Sequence, residues 1–153
     1  MAVYTRINQN DLSLIEKNFK IGKIYSFSGI KKGIENTNYL IKTNKKKIIL
    51  TIFEKRVQLK DLPFFMSLMF GLSKHKIKCP EPIKNKKGKY LFKIKNKTAC
   101  LVSFLEGKDK NQLTSKDCFQ VGKNAALLHL AAKKLRLYRN CLLYTSDAAD
   151  DVV

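Results

Sequence analysis

The stretch KKIILTIFEK, residues 46–55, decides the fold. Its centre, IILTIF, is a β-branched and aromatic run of the kind that fills a central strand. Upstream, KIYSFSGI (23–30) and IENTNYLIKT (34–43) have the same character, joined by a Lys31-Lys32-Gly33 turn and followed by a second lysine-rich turn. Strands joined by such short turns pair antiparallel, so 23–55 reads as a three-stranded meander. Downstream, KYLFKIK (89–95) and TACLVSF (98–104) make a second hairpin about a turn at Asn96-Lys97. The expected core is therefore a five-stranded antiparallel sheet in an α+β chain.

Helical segments surround these strands. Asn10 or Asp11 can cap a short helix in which Leu12, Ile15 and Phe19 recur at helical spacing, with Gly22 at the position of a C-cap glycine. Asp61 is the expected N-cap of a second helix, with Pro63 in its first turn. Leu62, Phe65, Met69 and Leu72 then form one stripe, which reads as a helix packed on the sheet. Cys79-Pro80-Glu81-Pro82 stops that helix and leads into the second hairpin. Finally Thr114 or Ser115 caps a long helix whose Val121, Ala125, Leu128, Ala132 and Leu135 follow the i, i+4, i+7 rhythm.

Composition narrows the function classes. With 44% hydrophobic and 10% aromatic residues among 153, the chain can build a core. No run approaches the ~20 apolar residues of a membrane span, and MAVYTRINQN lacks the apolar run of a secretory signal. Cys79, Cys100, Cys118 and Cys141 have no metal-ligand spacing and read as reduced thiols of a cytoplasmic protein. The net charge of +19 would suit nucleic acid, but 27 of the 31 basic residues are Lys and only 4 are Arg, the better phosphate and base ligand. The lysines are spread over every turn instead of one stripe, so the charge reads as a solvated surface.

Six segments occur in order: GIKKGIENTNYLIKT (29–43), ILTIFEKR (49–56), DLPFFMSLM (61–69), CPEPI (79–83), LVSFLEG (101–107) and AALLHLA (125–131). Together, from MAVYT to about Asn140, they resemble the homoserine kinases built on the aminoglycoside-phosphotransferase/choline-kinase fold. The resemblance implies a protein-kinase-like N-lobe with its hinge over residues 1–107, and the first helix of an incomplete C-lobe over 108–140. It also implies ATP-dependent phosphorylation of L-homoserine on its hydroxyl, a step toward threonine, with Mg²⁺ beside the ATP. Another amino alcohol or a sugar as acceptor is the second reading on this fold, because the acceptor site belongs to the missing lobe.

The resemblance also implies site residues. The hairpin from Gly29 to Asn38 would cover the nucleotide phosphates, with Gly29 and Gly33 letting the backbone approach phosphate oxygens. Asn36, Thr37 and Asn38 would add neutral donors. LVSFLEG corresponds to the hinge between lobes: the Ser103 carbonyl would accept from the adenine amino group, the Leu105 N–H would donate to the ring, and Val102 would form the back wall. His129, in LLHLA, is expected at the buried edge of the last helix as a structural residue.

There are departures. Kinases hold the α/β-phosphates with a Lys or Arg on the third strand, paired with a Glu on the next helix. Here Thr51 occupies that strand position and the helix offers Phe64, Phe65 and Met66, leaving Lys42, Lys55 or Arg56 as alternatives. The HGD-x4-N motif that carries the family's catalytic Asp is absent from the chain, as is the later metal-binding Asp. The ending CLLYTSDAADDVV (141–153) contains no Lys, Ile or Asn and reads as a non-native tail joined near Cys141, expected to make few contacts with the rest.

Overall fold

A computed structural model of the chain describes residues 3–55 and 57–138. Arg56 and the expected tail, 141–153, lie outside the described residues. The elements in order are α1 (Gln9–Asn18), β1 (Ile24–Gly29), β2 (Thr37–Thr43), β3 (Lys47–Ile52), α2 (Leu62–Lys74), β4 (Leu91–Ile94), β5 (Lys97–Ser103) and α3 (Ser115–Leu135). The strands form one five-stranded sheet in the order β1-β2-β3-β5-β4, with every neighbouring pair antiparallel. IILTIF thus supplies the middle strand, as its composition predicts.

Period-two alternation sorts the side chains onto two faces. Tyr39 and Ile41 of β2, Ile48, Leu50 and Ile52 of β3, and Ala99 and Leu101 of β5 meet Leu12 and Ile15 of α1, with Phe19 and Ile21, in the larger core. Burying each of the Ile and Leu side chains contributes about 1.5–3 kcal/mol. On the opposite face, Ile49, Cys100 and Val102 pack with Phe65, Met66 and Met69 of α2. The sheet is therefore sandwiched between α1 and α2, where the sequence reading assigned only α2 to a face.

Several expected boundaries shift. Asn8, not Asn10 or Asp11, caps α1: its side chain accepts from the Asp11 N–H at 3.2 Å while Asp11 accepts from the Asn8 N–H at 2.8 Å. Gly22 has φ +89° but lies beyond an extended C-cap at Phe19. The β1–β2 turn is wider than Lys31-Lys32-Gly33: β2 begins at Thr37, and Ile30 N–H to the Asn38 carbonyl, 2.8 Å, closes the loop. The second hairpin turns at Lys95-Asn96, not Asn96-Lys97, because both residues take positive φ (49° and 61°) as a two-residue hairpin demands. The chain enters α2 through a 3-10 turn, Leu59–Asp61, without a side-chain cap from Asp61.

After α2 the CPEPI segment pairs with the end of β5 that runs past β4. Ile83 N–H bonds the Leu101 carbonyl at 2.8 Å and Ser103 N–H bonds the Glu81 carbonyl at 2.9 Å, with Pro82 opposite Val102. Residues 104–114 then cross to α3, capped by a Thr114/Asp117 box and ended by Arg136 in the left-handed region. α3 touches α2 where Leu135 lies over Gly71. Its buried residue is Ala131, while Phe119, Val121, Leu127, Leu128 and Leu130 are exposed. His129 is also exposed, contrary to the expected buried edge, because no described residue covers that face of the helix.

Candidate functional site

The expected phosphate-covering loop spans Ile30–Asn36 between β1 and β2. Gly33 has φ +115°, a conformation L side chains rarely adopt, and an added Cβ there would meet open space. Gly29 serves differently from expectation: it ends β1 without positive φ, and a Cβ there would come within 2.8 Å of the Val3 side chain. Its smallness admits the N-terminal segment, not a ligand.

The three expected donors separate by strand parity. Directly opposed residues of neighbouring strands share a face, so Asn38, Thr51 and Cys100 form one row and Thr37, Ile52 and Ala99 another. The first row lies on the α2 face, where Thr51 Oγ1 donates to Asn38 Oδ1 at 2.8 Å. Thr37 is on the α1 face and fully buried. Its hydroxyl accepts from the Tyr4 and Thr5 N–H groups at 2.9 and 3.1 Å and donates to Glu54 Oε1 at 2.7 Å. That side chain is committed to the core and is not a phosphate donor, which corrects its expected role. Asn36 Oδ1 accepts from the Glu54 N–H at 3.3 Å, which leaves its amide nitrogen on the loop.

Glu54 organises this end of the sheet, and the sequence reading did not single it out. Besides Thr37 it receives the Thr5 hydroxyl at 2.7 Å and an ion pair from Lys97. Burial opposes its charge, but the hydrogen bonds from Lys97, Thr5 and Thr37 outweigh burial and hold its carboxyl below the ordinary 4.5. Tyr4 completes the arrangement by donating from its hydroxyl to the Ile34 carbonyl at 3.0 Å, which straps the N-terminal segment across the loop. The position of Glu54 just past a central strand was visible in the sequence; its partners, up to 92 residues apart, were not.

An open cavity of about 400 Å³ lies here, lined by Tyr4, Ile34, Glu35, Glu54, Lys55 and Lys97. Of the basic candidates, Lys55 therefore stands at the loop end. Lys42 pairs with Lys47 at the other end of β2, five residues and roughly 17 Å from Thr37.

That other end holds the expected hinge. Ile48 opposes Ser103, and Phe104 N–H bonds the Lys47 carbonyl at 3.4 Å. This makes 48 and 103 a pair without mutual hydrogen bonds, so the main-chain N–H and carbonyl of Ser103 both face away from β3. Val102 is buried on the α2 face beside Met66, and Leu105 follows, exposed, in the connector. Lys47 lies 5.4 Å from the Phe104 ring centroid and bonds Glu106 at 2.7 Å. Lys32 of the loop reaches Asp109 of the connector at 2.7 Å, an exposed pair that contributes little. Among the described residues, no group of three His, Cys, Asp or Glu side chains is placed to hold a metal ion. No helix among them is long and apolar enough to cross a membrane.

The chain is 43% identical over 140 residues to a homoserine kinase of Allorhizobium ampelinum, covering 92% of this chain and 44% of that protein. It is 40% identical over 139 residues to the homoserine kinase of Agrobacterium fabrum, covering 91% and 43%. The chain thus spans less than half the length of the curated relatives it matches. Among solved structures, a spectinomycin phosphotransferase in complex with ADP and spectinomycin superposes with a TM-score of 0.65 at 18% identity. That match covers 83% of this chain and 39% of the other and shows a shared fold. A model of the phosphotransferase enzyme family matches residues 26–146, well over half of the sequence, and the chain belongs to that family.

Proposed function

We propose that this chain is the nucleotide-binding part of an ATP-dependent homoserine kinase, which transfers the γ-phosphate of ATP to the hydroxyl of L-homoserine to give O-phospho-L-homoserine. The observation that carries this is the 40–43% identity, sustained over 91–92% of the chain, to relatives named homoserine kinase. The step belongs to threonine biosynthesis and takes place in the cytoplasm.

In this reading Gly33, Asn36 and Asn38, with the main chain at Thr37, cover the phosphates. Phosphoryl transfer depends on positioning and on charge placed around the transferred group, so a loop of neutral amides over the phosphates fits. Lys55 is the cation we assign to this end. At the other end the Ser103 carbonyl and the Leu105 N–H hold the adenine, with Val102 behind it. Mg²⁺ accompanies the ATP, but the described residues do not fit it: they offer no carboxylate cluster. Its ligands and the catalytic Asp would come from residues beyond this chain.

Acceptors other than homoserine remain the alternative on the same fold, and ADP release by the full-length protein with L-homoserine, choline and an aminocyclitol decides between them. Turnover with choline or the aminocyclitol and none with L-homoserine overturns the proposal. Residues 1–153 alone, which contain no HGD-x4-N motif, are expected to release no ADP above background. A nucleic-acid-binding surface on this basic chain would need rings such as Phe53, Phe65, Phe92 and Phe104 exposed on one lysine-lined face. Instead Phe53 and Phe65 pack against the α2-side core and Phe92 against Phe19, at 5.0 Å between ring centroids.

A further inference from the structure

In an antiparallel pair, two residues directly opposite each other at a hydrogen-bonded position exchange both N–H···O=C bonds. Glu81 and Ser103 hold such a position, because the flanking Pro82–Val102 bridge is closed by Ile83 N–H to the Leu101 carbonyl and Ser103 N–H to the Glu81 carbonyl, 2.8 and 2.9 Å. The reciprocal bond is not made in the usual way. The Glu81 N–H goes to the Ser103 hydroxyl, at 2.8 Å, in place of the Ser103 carbonyl. The ladder ends one bond early, at a carbonyl that faces away from β3.

We infer that the Ser103 side chain is a specificity-determining positioning residue: by capturing the Glu81 N–H it keeps the Ser103 carbonyl free to accept from the exocyclic amino group of a purine base. The inference rests on the hinge role proposed above for that carbonyl. A carbonyl already bonded to Glu81 would be a weaker and differently directed acceptor, and the base would lose the contact that tells an amino-purine from one without it. The backbone accepts the ligand, and the side chain decides whether the backbone is available.

The experiment compares ATP with purine riboside triphosphate, which carries hydrogen where adenine has its amino group, on the full-length enzyme. One neutral hydrogen bond corresponds to a preference of roughly three- to tenfold. The unsubstituted enzyme is expected to bind ATP that much more tightly. Ser103→Ala lets the Glu81 N–H close onto the carbonyl, so its preference should fall to near unity. Ser103→Thr keeps the hydroxyl and should keep the preference. The readout is a ratio within one variant, so a loss of folded protein lowers both affinities alike and leaves it unmoved. Should Ser103→Ala not fold, Ser103→Cys, with a weakly accepting thiol, is expected to fall between Ser and Ala. If Ser103→Ala, or that Cys variant in its place, discriminates as strongly as the unsubstituted enzyme, the inference is overturned while the hinge reading stands. If the unsubstituted enzyme itself does not discriminate, the hinge role of the Ser103 carbonyl fails first.

Discussion

At the scale of single residues, neighbours in sequence have opposite tasks. Asn38 and Thr37 look alike as short polar donors, yet one lies on the α2 face and the other is sealed beneath Tyr4 and Thr5. Glu54 is the residue that seals it. Its folded carboxyl titrates below the ordinary 4.5, so its contribution to stability is fully present above that pH and is lost as the pH falls through the lower folded value. Glu54→Gln should therefore destabilise by about 1–3 kcal/mol near neutrality, the usual size for hydrogen bonds to a charged group. Urea midpoints taken from pH 7 down should show the gap to the unsubstituted protein narrowing below 4.5; a gap that stays constant would remove the carboxylate from the account. The thiols offer a second check. Burial pushes Cys100 up to about 12, while Cys118 is exposed. Peptide mapping after brief maleimide treatment at pH 8 should find Cys118 labelled and Cys100 labelled only after unfolding.

At the scale of elements, the contact between α2 and α3 turns on Gly71. A Cβ there would come within 2.6 and 2.7 Å of the two Leu135 methyl carbons. Two effects of Gly71→Ala oppose each other: helix propensity gains about 1 kcal/mol, and overpacking costs about 1–3 kcal/mol unless Leu135 moves. The single substitution is expected to be neutral to mildly destabilising, and the same change made on Leu135→Ala to be stabilising. Equal effects in both backgrounds, by thermal melting, would show that the helices are not coupled there. The sheet edges show the same logic. The CPEPI segment, which the sequence marked as a helix stop and the lead into the second hairpin, also becomes a partner for the part of β5 that runs past β4. Covering an edge removes a site for unwanted strand pairing.

At the scale of the whole molecule, α3 is the exception. Its capping box and rhythm form the helix locally, but Phe119, Val121 and Leu130 are each at least 60% exposed. Apolar residues collected on one element in this way favour association. Residues 1–153 by themselves should therefore self-associate at micromolar concentration in sedimentation velocity. Replacing Val121 and Leu130 with Lys should shift them toward monomer without changing helix content; an unchanged distribution would clear α3 of responsibility.

The sequence by itself determined the elements, the antiparallel pairing within the meander and within the second hairpin, and the packing of α2 on the sheet, because these follow from local propensity and from period. The junction of β3 with β5 and the place of α1 on the other face came only with the tertiary structure. Alternation through Thr37, Tyr39, Ile41 and Thr43 even carried the sign that Thr37 is buried, although the reading of the loop as one donor cluster passed over it. Turn positions moved by a residue or two, since positive φ at Lys95 and Asn96 is set by how two strands meet and not by either strand alone. What only the tertiary structure decided are the partnerships across long separations: Tyr4 on Ile34, Lys97 on Glu54, and Glu81 on the Ser103 hydroxyl. None of these leaves a periodic trace, because each joins residues whose separation is fixed by the path of the chain through the sheet. It is in those contacts that the loop end and the hinge end acquire their chemistry.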